Sequence, residues 1–224
     1  MFAVIIVAGG KGTRMNATLP KQFMELNAMP VLYYSLNAFY STYPTIQIIL
    51  VLAANQIETW MQLTEKYSIK IPHTIISGGE ERYFSVKNGL KAVSDNCTLV
   101  GIHDAVRPLV NQNTITTCYN TAVQYNSAIP YVSSTDSVRL LSNQSSEIID
   151  RNKVALIQTP QVFNFQQLLH AYNTVVFSTE LTDDASVFEK SGKQITLVPG
   201  NRENIKITTP MDLLIAQLII QNQK

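Results

Sequence analysis

Residues 2–15 read FAVIIVAGGKGTRM, and Pro-Lys-Gln follows at 20–22. Ala3 to Val7 is an unbroken apolar, mostly β-branched run of strand length, which predicts a strand covered on both faces. The run ends in Ala8, Gly9 and Gly10, with a further glycine at 12 just before Arg14. Glycines here tolerate positive φ and keep side chains out of the way of backbone N–H groups, while Arg14 and Lys21 add cations beside those donors. Strand, glycine loop and cations, in that order, suit a nucleotide triphosphate. A tight turn after a first strand would also explain the glycines taken alone. Two other phosphate signatures do not fit. A dinucleotide fingerprint wants glycine where Met15 stands and an acid after the second strand, where the chain reads Ala53, Ala54, Asn55. A P-loop wants Gly-Lys-Ser/Thr after four intervening residues, and the chain has no such string.

The 224 residues allow one α/β domain with a full core. An apolar content of 46% against 15% charged residues is that of an ordinary folded protein, not a disordered one. A formal charge of +1 offers no general attraction to nucleic acid, so anion binding has to be local. Cys97 and Cys118 form no CxxC pair and read as small core residues of a reducing compartment, which predicts a cytoplasmic protein. No stretch reaches the roughly 20 apolar residues that span a bilayer, so a membrane role is not expected.

Beyond the first loop, apolar spacing predicts a helix over 30–41, a strand over 46–53, a helix over 56–67 and a short strand over 74–76. Ser-Gly-Gly-Glu-Glu-Arg at 77–82 leads into a helix over 83–93, and a strand over 99–103 runs into Asp-Ala-Val-Arg-Pro at 104–108. A helix over 114–125 and a strand over 128–132 follow. This alternation predicts a parallel sheet with helices on both faces, its ligand edge at the strands' C-terminal ends. The pattern then changes: 137–141 and 147–151 flank the polar Ser-Asn-Gln-Ser-Ser at 142–146, which predicts a protruding hairpin. Such short strands are not stable alone, so the arm packs either on a second copy or back on its own domain. The remainder reads as a helix over 165–172, a helix capped by Thr182 and running to Lys190, a strand over 194–198 and a final helix from Pro210.

These residues closely resemble the 2-C-methyl-D-erythritol 4-phosphate cytidylyltransferase family. The resemblance runs the whole length, through AGGKGTRM at 8–15, PKQF at 20–23, GGEER at 78–82, HDAVRP at 103–108, DR at 150–151, QTPQVF at 158–163, TDDAS at 182–186 and NIKITTP at 204–210. It implies an α/β fold with a Rossmann-like, mostly parallel sheet, helices on both faces and a protruding β-arm. Residues 1–224 would be a single nucleotidyltransferase domain whose arm, about 134–152, makes a homodimer. The reaction implied is transfer of a cytidylyl group from CTP to a sugar-alcohol phosphate, with Mg²⁺ and with pyrophosphate released. Fixed cations and a metal suit it, because one phosphate anion has to attack another.

By position, the resemblance gives Arg14 and Lys21 the stabilisation of the transition state, and places Ala8, Gly9, Gly10, Gly79, Glu80 and Ser85 around the nucleotide. Asp104 falls near Mg²⁺ and the sugar-alcohol hydroxyls, with Arg107 beside it; an Asp104–Arg107 ion pair shaping the loop is compatible with that. Ser137, Thr159 and Thr182 fall on acceptor positions, and Arg151 and Lys206 grip and aim the acceptor phosphate. Ser137 and Arg151 would come from the partner's arm. His103 reads as a packed histidine, since the attacking phosphate is already deprotonated. The chain departs from the family pattern at Gly9, Glu80, Val106 and Ser137, where alanine, aspartate, alanine and threonine are usual. Glu80 keeps an acid and Ser137 a hydroxyl. The HisAspXxxValArgPro pattern is also similar to ribitol 5-phosphate cytidylyltransferases, but TPQVF, TDDAS and GNRENIKITTP resemble the methylerythritol phosphate enzymes more closely, so 2-C-methyl-D-erythritol 4-phosphate is the expected acceptor; ribitol 5-phosphate, or a non-catalytic CTP-binding module from another class, is the alternative.

Overall fold

Phe2–Val7 forms strand β1, and Ala3, Val4, Ile5 and Ile6 within it have no solvent exposure. Side chains alternate across a strand, so Ala3 and Ile5 enter the core on one face while Val4 and Ile6 enter the core on the other. The strand therefore has to lie inside a sheet with packing on both sides. The computed structural model describes residues 1–9 and 19–222. After β1 come β2 (Glu25–Leu26), β3 (Met29–Pro30), α1 (Val31–Thr42), β4 (Gln47–Leu52), α2 (Ile57–Lys66), β5 (Thr74–Ser77), α3 (Arg82–Leu90), β6 (Leu99–Asp104), α4 (Gln112–Tyr125) and β7 (Ser127–Ser133). The second half holds β8 (Val138–Leu141), β9 (Ser146–Ile149), β10 (Ala155–Ile157), β11 (Gln161–Asn164), α5 (Phe165–Thr174), α6 (Asp184–Lys190), β12 (Leu197–Pro199) and α7 (Pro210–Asn222).

The main sheet runs β10-β7-β11-β6-β1-β4-β5, with β12 added alongside β7. Strands β6, β1, β4 and β5 are parallel, with Ile5 level with both Ile49 and Ile102. Leu36 and Phe39 of α1, Trp60 of α2 and Tyr119 of α4 fill one face. Val86 of α3, Leu168 and Tyr172 of α5 and Phe188 of α6 fill the other. Helices thus cover both faces, as the alternating pattern predicts.

The sheet is mostly parallel, as expected, and its antiparallel pairs lie in the second half. Strand β11 lies antiparallel between β6 and β7, and β10 is antiparallel to β7. Four residues are too few to show a period, and long-range pairing alone places β11 in the sheet. A correction concerns the start of α6. Asp183, not Thr182, caps it: the Asp183 carboxylate accepts from the Ser186 N–H at 2.9 Å, and the Asp183 N–H donates back to the Ser186 hydroxyl at 3.3 Å. That reciprocal pair is a capping box, one residue later than the sequence reading placed the cap.

The hairpin at 138–149 is present, and among the described residues its strands β8 and β9 pair only with each other. Leu140, Leu141 and Ile148 stand largely in solvent. Among the described residues no helix is long and apolar enough to cross a membrane.

Candidate active site

The loops that follow β1, β5 and β6 are each tied to the end of a neighbouring strand by a main-chain bond: Ala8 N–H to Val51 O of β4 at 2.8 Å, Gly78 N–H to Leu52 O of β4 at 2.7 Å and Ala105 N–H to Val7 O of β1 at 3.0 Å. Three loops from distant parts of the chain are thereby held at one sheet edge. Gly79 belongs there because a Cβ would lie 2.4 Å from that of Phe84, and its N–H donates to the Ser85 hydroxyl at 3.1 Å. Gly9 behaves differently from the expectation of left-handed backbone. Its φ lies outside that region, and a Cβ would meet Ser85 Oγ at an ordinary 3.6 Å. Among the described residues nothing stands in the way of alanine at that position.

Lys21 opens a short 3₁₀ turn, Lys21–Phe23, that its next two residues lock in place. The buried Gln22 carboxamide donates to Ala8 O and to Gln56 Oε1, both at 2.8 Å, and Phe23 stacks on Trp60 with ring centres 6.0 Å apart. A cavity of about 400 Å³ lies between this turn and the strand ends. Ala8, Gly9, Lys21, Gly79, Glu80, Ser85, Asp104 and Lys206 line it, so the structure brings these eight sequence-predicted residues together.

Asp104 ends β6 and sits among three cations: Lys206 Nζ at 2.9 Å, Arg107 Nε at 3.6 Å and Arg82 Nε at 3.8 Å. Burial by itself would raise this carboxyl, but Arg82, Lys206 and Arg107 outweigh it and hold the group below the usual carboxylate range. Burial pulls the Arg107 guanidinium below its ordinary value, opposed by Asp104. The expected Asp104–Arg107 pair is therefore present and is one of three. Lys206 is presented by bonds on either side of it, Asn204 Nδ2 to Thr159 O at 2.9 Å and Ile207 N–H to Val106 O at 2.8 Å.

A second, smaller cavity of about 180 Å³ shares the Arg82, Asp104 and Lys206 wall and is lined further by Arg107, Thr159 and Thr182. His103 is fully buried behind it, and burial pushes its imidazole down to about 4, which leaves it neutral. That agrees with a packed histidine. Ser137 and Arg151 are not brought to either cavity within their own chain. Both lie at the exposed arm, where Arg151 Nη1 donates to Thr135 O at 2.9 Å. Arg14 and Gly10 fall outside the described residues. Among the described residues no three His, Cys, Asp or Glu side chains gather as a metal cluster.

The sequence reading missed Arg82, which lines both cavities. Its Nη2 donates to Asp184 Oδ2 at 2.6 Å, and Asp184 Oδ1 accepts from the Tyr172 hydroxyl at 2.7 Å. The signal lay in GGEER and TDDAS, where a cation at a helix start and the second aspartate of a capping run had no local reason to pair.

The model of the family described as 2-C-methyl-D-erythritol 4-phosphate cytidylyltransferase matches residues 2–222. The chain belongs to that family. A relative of that name from Phocaeicola vulgatus is 47% identical over 217 residues, covering 97% of this chain and 98% of its own length. One from Bacteroides fragilis is 47% identical over 216 residues, covering 96% and 98%. Among solved structures, a 4-diphosphocytidyl-2C-methyl-D-erythritol synthase from Anaerococcus prevotii superposes with a TM-score of 0.84 at 27% identity, over 98% of this chain and 96% of that one. The chain is accordingly an enzyme, a nucleotidyltransferase on the α/β fold of this family.

Proposed function

We propose that this enzyme transfers a cytidylyl group from CTP to 2-C-methyl-D-erythritol 4-phosphate, making an isoprenoid precursor. The observation that carries this reading is the shared wall of the two adjoining cavities, where Arg82, Asp104 and Lys206 meet at the ends of parallel strands. CTP occupies the larger cavity, its base and ribose against Ala8, Gly9, Gly79, Glu80 and Ser85 and its phosphates toward Lys21, with Gly10 and Arg14 assigned to the nucleotide by the family resemblance alone. The acceptor occupies the smaller one, against Asp104, Arg107, Thr159 and Thr182. An oxygen of the acceptor phosphate attacks the α-phosphorus, the bond to the β-phosphate breaks, and pyrophosphate leaves carrying the electron pair. Lys21 neutralises the charge that builds up on pyrophosphate, Arg14 is assigned by the family resemblance to stabilising the transition state, and Lys206 aims the attacking phosphate.

Asp104 is a hard carboxylate oxygen donor at the junction of the cavities and is held ionised, which fits Mg²⁺ bound through one protein carboxylate with the remaining ligands from phosphate and water. Bound there, the ion would neutralise phosphate charge. The acceptor site is completed by Ser137 and Arg151 of a second copy, since the arm presents them away from its own cavities and leaves apolar side chains uncovered. A reducing compartment suits both buried thiols.

Pyrophosphate release tests the reading. With CTP it is expected with methylerythritol phosphate and to be much weaker with ribitol 5-phosphate, ATP or GTP. Equal turnover with ribitol 5-phosphate overturns the acceptor assignment, and equal turnover with GTP the nucleotide assignment.

A further inference from the structure

The histidine next to Asp104 is held from every side. His103 Nε2 is 3.1 Å from the main-chain oxygen of Arg107, and Nδ1 is 3.0 Å from the Thr159 hydroxyl. Phe39 meets the ring edge-on with centres 5.0 Å apart. The ring has no solvent exposure, and its nitrogens meet a carbonyl and a hydroxyl, not a carboxylate, so it is neutral with one ring hydrogen; a carbonyl oxygen can only accept, so that hydrogen sits on Nε2 and Nδ1 carries a lone pair. The Thr159 hydroxyl therefore donates to Nδ1. Its oxygen in turn accepts the Asp104 N–H at 3.1 Å. One buried ring thus fixes the Thr159 side chain and the Arg107 backbone, and through Thr159 the start of the Asp104 loop.

We propose that His103 is a positioning residue for the acceptor, acting through Thr159: by taking the only hydroxyl hydrogen, it leaves Thr159 to meet the acceptor solely as a hydrogen-bond acceptor. This rests on the proposed acceptor site and deepens it. A deprotonated phosphate oxygen has no hydrogen to give, so Thr159 reads a hydroxyl of the sugar alcohol, and the phosphate is left to Lys206 and the arginines. The ring performs no proton transfer in this role, since both of its nitrogens are engaged.

Two substitutions separate the two bonds. In His103→Asn the carboxamide oxygen stands near the Nδ1 position and still accepts from Thr159, while nothing reaches the Arg107 carbonyl. In His103→Gln the amide reaches the Nε2 position and serves Arg107, while Thr159 loses its partner. Steady-state kinetics on the full-length enzyme should show KM for methylerythritol phosphate rising about tenfold in His103→Gln, the size expected for one lost hydrogen bond, and clearly less in His103→Asn. KM for CTP should stay within about twofold in both. Thr159→Val should match His103→Gln, Thr159→Ser should retain the acceptor KM, and the double variant His103→Gln with Thr159→Val should be no worse than Thr159→Val alone. Phe39→Leu removes the ring contact but neither hydrogen bond, so it should lower Tm without changing acceptor KM.

Multiplying losses in the double variant, equal losses toward both substrates, or an acceptor effect in Phe39→Leu as large as in His103→Gln would each overturn the proposal. If His103→Gln fails to fold, the comparison of Thr159→Val with Thr159→Ser and His103→Asn decides it: an acceptor KM indifferent to the Thr159 hydroxyl refutes the role. A wild-type enzyme inactive on methylerythritol phosphate would instead refute the acceptor assignment itself, a result separate from any variant.

Discussion

Arg82 links the two halves of the site, and its tie to Asp184 is the tightest ion pair there. Asp184 has no solvent exposure, whereas the Arg82 side chain is 30% exposed. Among the described residues, Arg82→Met would leave the buried Asp184 carboxylate with the Tyr172 hydroxyl as its one side-chain partner. Breaking a buried pair from one side costs about 3–5 kcal/mol, and the partial exposure of Arg82 places this case near ~3 kcal/mol. The urea midpoint should fall accordingly, and adding Asp184→Asn, which removes the stranded charge, should recover much of the loss. An unchanged midpoint in Arg82→Met would show the pair to be stabilising nothing. Lys206 differs because its side chain is 44% exposed; if it leaves Asp104 for the acceptor phosphate as proposed, Lys206→Ala should lower turnover far more than it lowers the urea midpoint.

At the scale of elements, α3 carries Arg82 and Ser85 into the larger cavity, and its distance from the sheet sets where that wall stands. The distance is set at Gly89. A Cβ there would lie 2.8 Å from Ile5 Cγ2 and 3.1 Å from Val51 Cγ2, on strand residues with no exposure. Helix propensity favours alanine over glycine by about 1 kcal/mol, but overpacking a filled core costs about 1–3 kcal/mol, and neither β-branched neighbour has space to turn. Gly89→Ala should therefore lower Tm despite the better helix former. It should also raise KM for CTP as α3 moves outward. A higher Tm would mean that the sheet gives way more easily than its packing implies.

The whole molecule shows an imbalance at the arm. Strands β8 and β9 hold Leu140, Leu141 and Ile148 largely in solvent, and two strands of four residues are not stable alone. A homodimer in which each arm completes the other's site would cover them and deliver Arg151, whose planar fork can hold two phosphate oxygens. Subunit mixing tests this directly. Lys21→Ala and Arg151→Ala homodimers should each lose about 10²–10³ in rate. In an equal mixture half of the dimers are mixed, each with one doubly defective site and one intact site, so activity should return to about a quarter of wild type. If subunits exchange and nothing returns, Arg151 acts within its own chain.

Contiguous residues carried much of the fold and part of the site. Apolar runs marked β1, β4 and β6, and the glycines at 78–79 marked a strand end, because burial on both faces and close backbone approach leave their signature within a few neighbouring residues. The resemblance added which loops belong together. Tertiary structure alone decided the antiparallel insertion of β11, the pairing of Arg82 with Asp184 and the hold of His103 on Thr159. Each of these joins residues far apart in sequence. Four residues have no period to read, an arginine names no particular carboxylate, and a histidine's hydrogen is assigned only when both of its neighbours are known. Local sequence sets where a strand can end and which groups it carries there, but a hydrogen bond or an ion pair depends on distances that only the packed sheet and its helices determine.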